Sequence, residues 1–199
     1  WPFDEHGPLP PQGTTLWQQT AQAVNVWHDI GAPPDVLGMI RDGIMVESDI
    51  GVHAFYGRNT TLDGPALQYW QEVLRPRYLK NGAIELVNYV GNKWLAPAFL
   101  VEKHLGGFRL IVDLRRHNAF FTTPKFKYES LALLRYAPPG VVRGFSIDLS
   151  DGYYHFRLQP AISRYFRFRI NGETFECRGL PMGWTLAPYY FSYIMRPVL

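Results

Sequence analysis

The sequence predicts an α+β fold, an antiparallel sheet with flanking helices. Three observations predict it. Residues 15–29 and 187–195, near the two ends of the chain, carry apolar side chains at helical spacing. Between them lie two pairs of strand-like segments, joined by His104-Leu105-Gly106-Gly107 and by Asn171-Gly172. The resulting order of helices, hairpin, helix, strand, hairpin and helix is that of an α+β domain.

Residues 1–14, rich in Pro and Gly, read as an extended lead-in. Residues 15–29 read as one helix with Trp17, Ala21, Val24 and Trp27 on one face. Gly31, Pro33 and Pro34 stop it, and Asp35 is placed to cap a short helix through Met39 and Ile40. Residues 43–63 read as loop with short strand pieces. Residues 64–80 read as a helix with Leu67, Val73 and Leu74 toward the core. Pro76 should kink or split that helix, because it lacks an N–H and its ring clashes with the preceding turn. Asn81-Gly82 supplies the stop. Residues 94–103 and 108–114 form the first hairpin. A short helix over 128–136 ends at Pro138-Pro139-Gly140, and residues 165–170 and 173–177 form the second hairpin. The last helix, 187–195, has Pro188 near its start and sets Phe191 and Met195 one turn apart.

With 199 residues, 47% of them apolar, the chain can bury a real core in one or two domains. The formal net charge of +3 is compatible with a polyanionic partner without demanding one. Basic residues crowd two stretches. One holds Arg109, Arg115, Arg116, Lys125, Lys127, Arg135 and Arg143, and the other Arg157, Arg164, Arg167, Arg169 and Arg178. Planar guanidinium suits phosphate, although a solvated surface would look the same. Cys177 is the only cysteine, which excludes a disulfide framework and a thiolate zinc site, and the six histidines show no metal-ligand spacing. No signal-peptide pattern and no membrane-spanning apolar run occurs, so an intracellular protein is expected, with cytoplasm, nucleus and organelle undistinguished. Because the sequence opens on Trp1 rather than Met, a processed product or a fragment is expected.

Residues 144–155, GFSIDLSDGYYH, carry the chemistry. Phe145, Ile147 and Leu149 alternate with Ser146 and Asp148, the pattern of a half-buried strand, which turns Asp148 away from the apolar face. There a carboxylate could hold a cation. Asp151-Gly152-Tyr153-Tyr154 adds a turn with accessible amides and two rings, the parts of a nucleotide site. Taken alone, Asp148 reads equally as a local hydrogen-bond acceptor that ends a strand.

The neighbouring blocks resemble those of reverse transcriptases. Residues 98–103 (AFLVEK), 106–109 (GGFR) and 112–118 (VDLRRHN) are similar to the fingers hairpin, and residues 145–153 (FSIDLSDGY) to the first catalytic motif of the palm. Residues 179–184 (GLPMGW), through Pro188 and Phe191, resemble the next motif, which meets the template and the incoming base. Residues 36–46 and 79–86 (LKNGAIEL) resemble the lead-in of retrotransposon enzymes of the Ty3-like and DIRS-like kind.

The resemblance implies an N-terminal extension and helix over 1–34, fingers with their lead-in over 35–140, and the first part of a palm over 141–199. It implies an RNA-directed DNA polymerase acting on dNTP, a primer and an RNA or DNA template, with Mg²⁺ as cofactor. Asp148 would be the catalytic carboxylate binding two Mg²⁺ ions, helped by the Leu149 carbonyl. The amides of Asp151 and Gly152 would meet the triphosphate, and Tyr153 would lie under the sugar and exclude a 2′-OH. Arg109 would pack on the nucleotide, with Lys103 as a second phosphate partner whose register in the hairpin stays open. Met182 would tune nucleotide packing, while Gly183 and Pro188 would approach the template base pair. Asp113 and Arg115 read as a structural pair.

Two-metal chemistry needs a further carboxylate, which this family takes from a later aromatic-x-Asp-Asp hairpin. Residues 191–199 contain none, and Asp151, three residues from Asp148, belongs to the following turn and is a poor substitute. These residues alone should therefore not complete a polymerase site; another chain or a further segment would have to. That gap keeps a second expectation open, a reverse-transcriptase-derived RNA-binding or scaffold module of a ribonucleoprotein.

Overall fold

Aromatic side chains fill the interior. Trp70, Phe166, Phe168, Phe175 and Trp184 are each at most 1% exposed. Phe168 and Phe175 stack at 5.4 Å, Trp70 meets Phe175 edge-on at 5.4 Å, and Trp184 meets Phe166 at 5.2 Å. The computed structural model describes residues 13–48, 50, 55–128, 135–136, 140 and 148–198.

The helices are α1 (Leu16–Gln22), α2 (Val24–Asp29), α3 (Pro34–Asp42), α4 (Gly64–Tyr69), α5 (Arg75–Asn81), α6 (Arg115–Asn118), α7 (Pro160–Ser163) and α8 (Ala187–Met195). The strands are β1 (Ile84–Leu86), β2 (Leu95–Ala96), β3 (Ala98–Glu102), β4 (Phe108–Val112), β5 (Arg167–Ile170) and β6 (Glu173–Cys177). Four of them form a sheet in the order β1-β6-β5-β2, antiparallel except for the β2–β5 pair, while β3 and β4 form a separate ribbon.

Both predicted hairpins are present. Asn171 (φ 47°) and Gly172 (φ 84°) supply the two positive φ angles that a two-residue turn between twisted strands requires. The first hairpin is shorter than predicted. Leu95 and Ala96 pair with β5 in the other sheet, and Pro97, which cannot donate, separates them from β3 and accepts the Asp113 N–H at 2.8 Å.

Two helical expectations need correction, and a third is met. The segment 15–29 divides at Ala23 (ψ 10°), and its halves serve different partners: Thr20 bonds His155, while Trp27 packs edge-on against Phe156. Asp35 is not the cap of α3. Pro33 stands at that position, and the Asp35 carboxylate instead accepts the Tyr193 hydroxyl at 2.6 Å. The long helix 64–80 splits as Pro76 requires, through a π-turn over Trp70–Leu74 that absorbs the lost bond and the ring. Gly82 (φ 77°) ends α5, and a Cβ there would lie 2.6 Å from that of Thr15, so close approach of α1 also demands glycine. The helix expected over 128–136 and the strand through 145–147 lie almost wholly outside the described residues. Asp148 and Leu149 belong to no strand.

One carboxylate is buried in the sheet. Glu176, 4% exposed, takes Arg167 at 2.9 Å, Arg178 at 2.8 Å and the Ser163 hydroxyl at 2.7 Å. His117 is buried too, donating from Nε2 to the Tyr165 carbonyl at 2.8 Å and lying flat on Phe166. Burial pushes its imidazole down from 6.5 to about 4. The unfolded chain therefore takes up this proton near pH 6.5 and the folded chain only near pH 4, so stability is full above that window and falls through it. Denaturant unfolding measured from pH 7 to pH 4 should lose up to about 3 kcal/mol from this group. Burial lowers His155 as well, in the same direction. His117→Gln should flatten the acid limb.

Candidate active site

Asp148 opens a tight turn. Asp151 reverses the chain with φ 56°, its carbonyl accepts the Tyr154 N–H at 2.8 Å, and a 3-10 turn follows over Gly152–His155. The exit is stitched down. The Leu158 N–H reaches the Arg178 carbonyl at 2.8 Å, the Leu180 N–H reaches Phe156 at 2.9 Å, and the Ile44 N–H reaches Arg157 at 2.8 Å.

The turn and the middle and C-terminal part of α8 border a cleft of about 380 Å³. Asp148, Leu149, Gly152, Tyr153 and Met182 line it, with Phe191 and Met195 completing the wall. Five residues predicted from sequence thus share one space. Tyr153 sets its ring edge-on to Phe191 at 5.1 Å, and burial raises its hydroxyl pKa. A Cβ on Gly152 would come within 3.2 Å of the Phe191 ring, which would have to give by a few tenths of an ångström. Met182 is 54% exposed at the opening.

The two aspartates of the turn differ. Asp148 is exposed, and among the described residues nothing claims its oxygens. Asp151 is engaged by Arg77, with Nη2 to Oδ1 at 2.7 Å and Nε to Oδ2 at 3.2 Å, and by Asn81 Nδ2 at 3.1 Å. The donor set suits a hard cation to this extent: Asp148 is an uncommitted carboxylate, with the Leu149 carbonyl following it. Among the described residues no cluster of three or more His, Cys, Asp or Glu side chains completes a metal shell.

The other predicted residues lie elsewhere. Lys103 and Arg109 are exposed on the β3–β4 ribbon, and neither lines the cleft. Gly183 (φ 89°) gives its carbonyl to Asn118 Nδ2 at 2.9 Å, while Asn118 Oδ1 accepts the Thr185 N–H at 2.9 Å, so α6 clamps this loop. Pro188 occupies the first turn of α8 outside the cleft. Asp113 and Arg115 pair as expected, at 2.6 Å, and the guanidinium holds the carboxyl down to about 2. Most of the second basic stretch is internal hardware. Arg167 and Arg178 hold Glu176, Arg169 bonds the carbonyls of Tyr89 and Gly91, and Arg157 lies over the Trp17 ring. Arg77, and the place of Asn81 and Met195 at the site, escaped the sequence reading. Contacts with Asp151 some 70 positions away leave no local pattern.

Residues 101–199 match the family model of reverse transcriptase (RNA-dependent DNA polymerase). The chain belongs to the reverse transcriptase family. The Gag-Pro-Pol polyprotein of Human T-cell leukemia virus 2 is 32% identical over 114 residues, 57% of this chain and 8% of that protein. A polyprotein of Cassava vein mosaic virus is 25% identical over 122 residues, 59% of this chain and 19% of that one. The chain therefore spans less than a fifth of either relative. The foamy viral protease-reverse transcriptase, solved in complex with dsDNA, superposes with a TM-score of 0.52 at 19% identity, covering 67% of this chain and 27% of that one. This likeness extends the shared fold well beyond the 99 residues of the family match.

Gly152→Ala tests the packing of this reverse transcriptase domain. Overpacking against Phe191 should cost about 1–3 kcal/mol in denaturant unfolding, and Phe191→Leu in the same chain should recover part of it.

Proposed function

We propose that this reverse transcriptase domain, with fingers over 35–140 and the first part of a palm over 141–199 after an N-terminal extension over 1–34, serves an RNA-directed DNA polymerase. The reaction is transfer of a nucleotide from dNTP to a primer 3′-OH on an RNA or DNA template. One observation carries the reading: Asp148, an exposed carboxylate with no partner among the described residues, lines the same cleft as Tyr153 and Met182.

Family members use divalent metal, and Mg²⁺ is the ion we assign. When bound, it would stabilise charge on the attacking and leaving oxygens. Asp148 and the Leu149 carbonyl would hold it, and the remaining carboxylate would come from a further segment or another chain. Asp151 and Gly152 would direct their amides to the triphosphate. Tyr153, packed edge-on against Phe191, would present its ring to a 2′-OH in the cleft. Met182 would rest its thioether against the base.

Lys103 and Arg109, exposed on the ribbon, would neutralise phosphate, and Gly183 and Pro188 would approach the template. Nucleic acid as partner agrees with the foamy viral relative, which was solved with dsDNA. A retrotransposon origin agrees with the 24% identity over 103 residues to the Transposon Tf2-7 polyprotein of Schizosaccharomyces pombe. No helix among the described residues is long and apolar enough to cross a membrane.

In the natural full-length protein, Asp148→Asn should abolish Mg²⁺-dependent primer extension and leave duplex binding within about twofold. Unchanged extension would remove Asp148 from the chemistry. Tyr153→Ala should raise ribonucleotide over deoxyribonucleotide incorporation, and an unchanged ratio would return Tyr153 to a packing role.

A further inference from the structure

The carboxylate of Asp151 stands where a polymerase would want none. Its amide is placed for a triphosphate in the reading above, and a bare carboxylate beside it would repel that anion and compete with Asp148 for a hard cation. Helix α5, which lies outside the region matched by the family model, removes the problem. Arg77 presents its guanidinium fork to both oxygens of Asp151, at 2.7 and 3.2 Å, the geometry of a strong charge-assisted pair. One turn along, Asn81 adds Nδ2 at 3.1 Å, and its own Oδ1 accepts the Ala83 N–H at 3.0 Å, so its amide is held at both ends. Between them Tyr78 sets its ring edge-on to Tyr154 at 5.8 Å. The three side chains of α5 thereby take hold of the two residues that flank Gly152 and Tyr153.

The carboxylate of the pair is also sheltered, while the Arg77 side chain stays half exposed. The Asp151 side chain is 18% exposed, and its backbone occupies the left-handed region that non-glycine residues adopt only at a cost. Lys80, on the same helix, lines the neighbouring cleft together with Asp148 and Asp151, so α5 faces this turn with cations.

We propose that Arg77, assisted by Asn81, is a positioning residue of the nucleotide site: it neutralises Asp151 and fixes the turn so that the amides of Asp151 and Gly152, rather than the carboxylate, meet the triphosphate. The proposal rests on the polymerase reading for its consequence and on the geometry of α5 for its mechanism.

Steady-state primer extension by the natural full-length protein tests it. Arg77→Gln should raise KM for dNTP about five- to tenfold, the scale of one uncompensated charge near a surface phosphate, with kcat within about twofold. Adding Asp151→Asn should bring KM back toward the starting value, because no stray charge then remains. A merely structural ion pair would show no such rescue. An unchanged KM in Arg77→Gln, or a double variant worse than the single one, overturns the proposal. Hydrogen exchange of residues 148–155, compared between the natural protein and Arg77→Gln, keeps the two readings apart. If the natural protein extends no primer, the polymerase reading fails. Faster exchange confined to that segment would then still uphold the anchoring by α5, and unchanged exchange would overturn it.

Discussion

Glu176 is the constraint around which the sheet is arranged. A carboxylate buried to this degree is tolerable only when its charge and its lone pairs are met, and leaving any of them unmet would cost several kcal/mol. Its partners arrive from three elements. Arg167 comes from the facing position of β5, Ser163 from α7, and Arg178 from the residue that follows β6. Arg178 also reaches Glu85 on β1, the opposite neighbour of β6. The network therefore ties β6 by side chains to the strand on each side of it. It also fixes where the chain leaves the sheet, and the next residues, Gly179 and Leu180, are the ones stitched to the exit of the Asp148 turn.

The cleft is assembled from pieces that share no local sequence. The turn supplies the carboxylate and one ring, α8 supplies Phe191 and Met195, and the loop held by Asn118 supplies Met182. The N-terminal helix closes the assembly, since Thr20 bonds His155 at 3.3 Å and Thr15 lies against Gly82 at the end of α5. Residues ahead of the matched family region thus brace the turn from outside the cleft.

What the sequence revealed were features with a local cause. Asn171-Gly172 announces its turn because few other residue pairs accept two positive φ angles. Ala187–Met195 announces its helix through Pro188 and the spacing of Phe191 and Met195. Asp148, Gly152 and Tyr153 were legible because their spacing is itself a motif, and the cleft gathers them. The illegible parts depend on long-range contact. Nothing near Asp35 indicates that Tyr193 will claim its carboxylate. Nothing near Leu95 indicates that it will pair with β5 rather than extend β3. The arginines of 157–178 look like a polyanion footprint until the fold shows that most of them bind a carboxylate, backbone carbonyls or a ring within the chain.

The π-turn over Trp70–Leu74 has a bearing on how this chain tolerates change in length. A π-turn accommodates one residue beyond the α-helical count, and one residue corresponds to about 100° of rotation about the helix axis. Trp70 and Leu74, the first and last residues of that turn, both keep buried places, while Arg77 and Asn81 beyond it meet Asp151. The segment 64–81 thus has a phase as well as a length. A single-residue deletion there would leave its composition almost untouched and yet turn the cationic face of α5 away from the Asp148–Tyr154 turn.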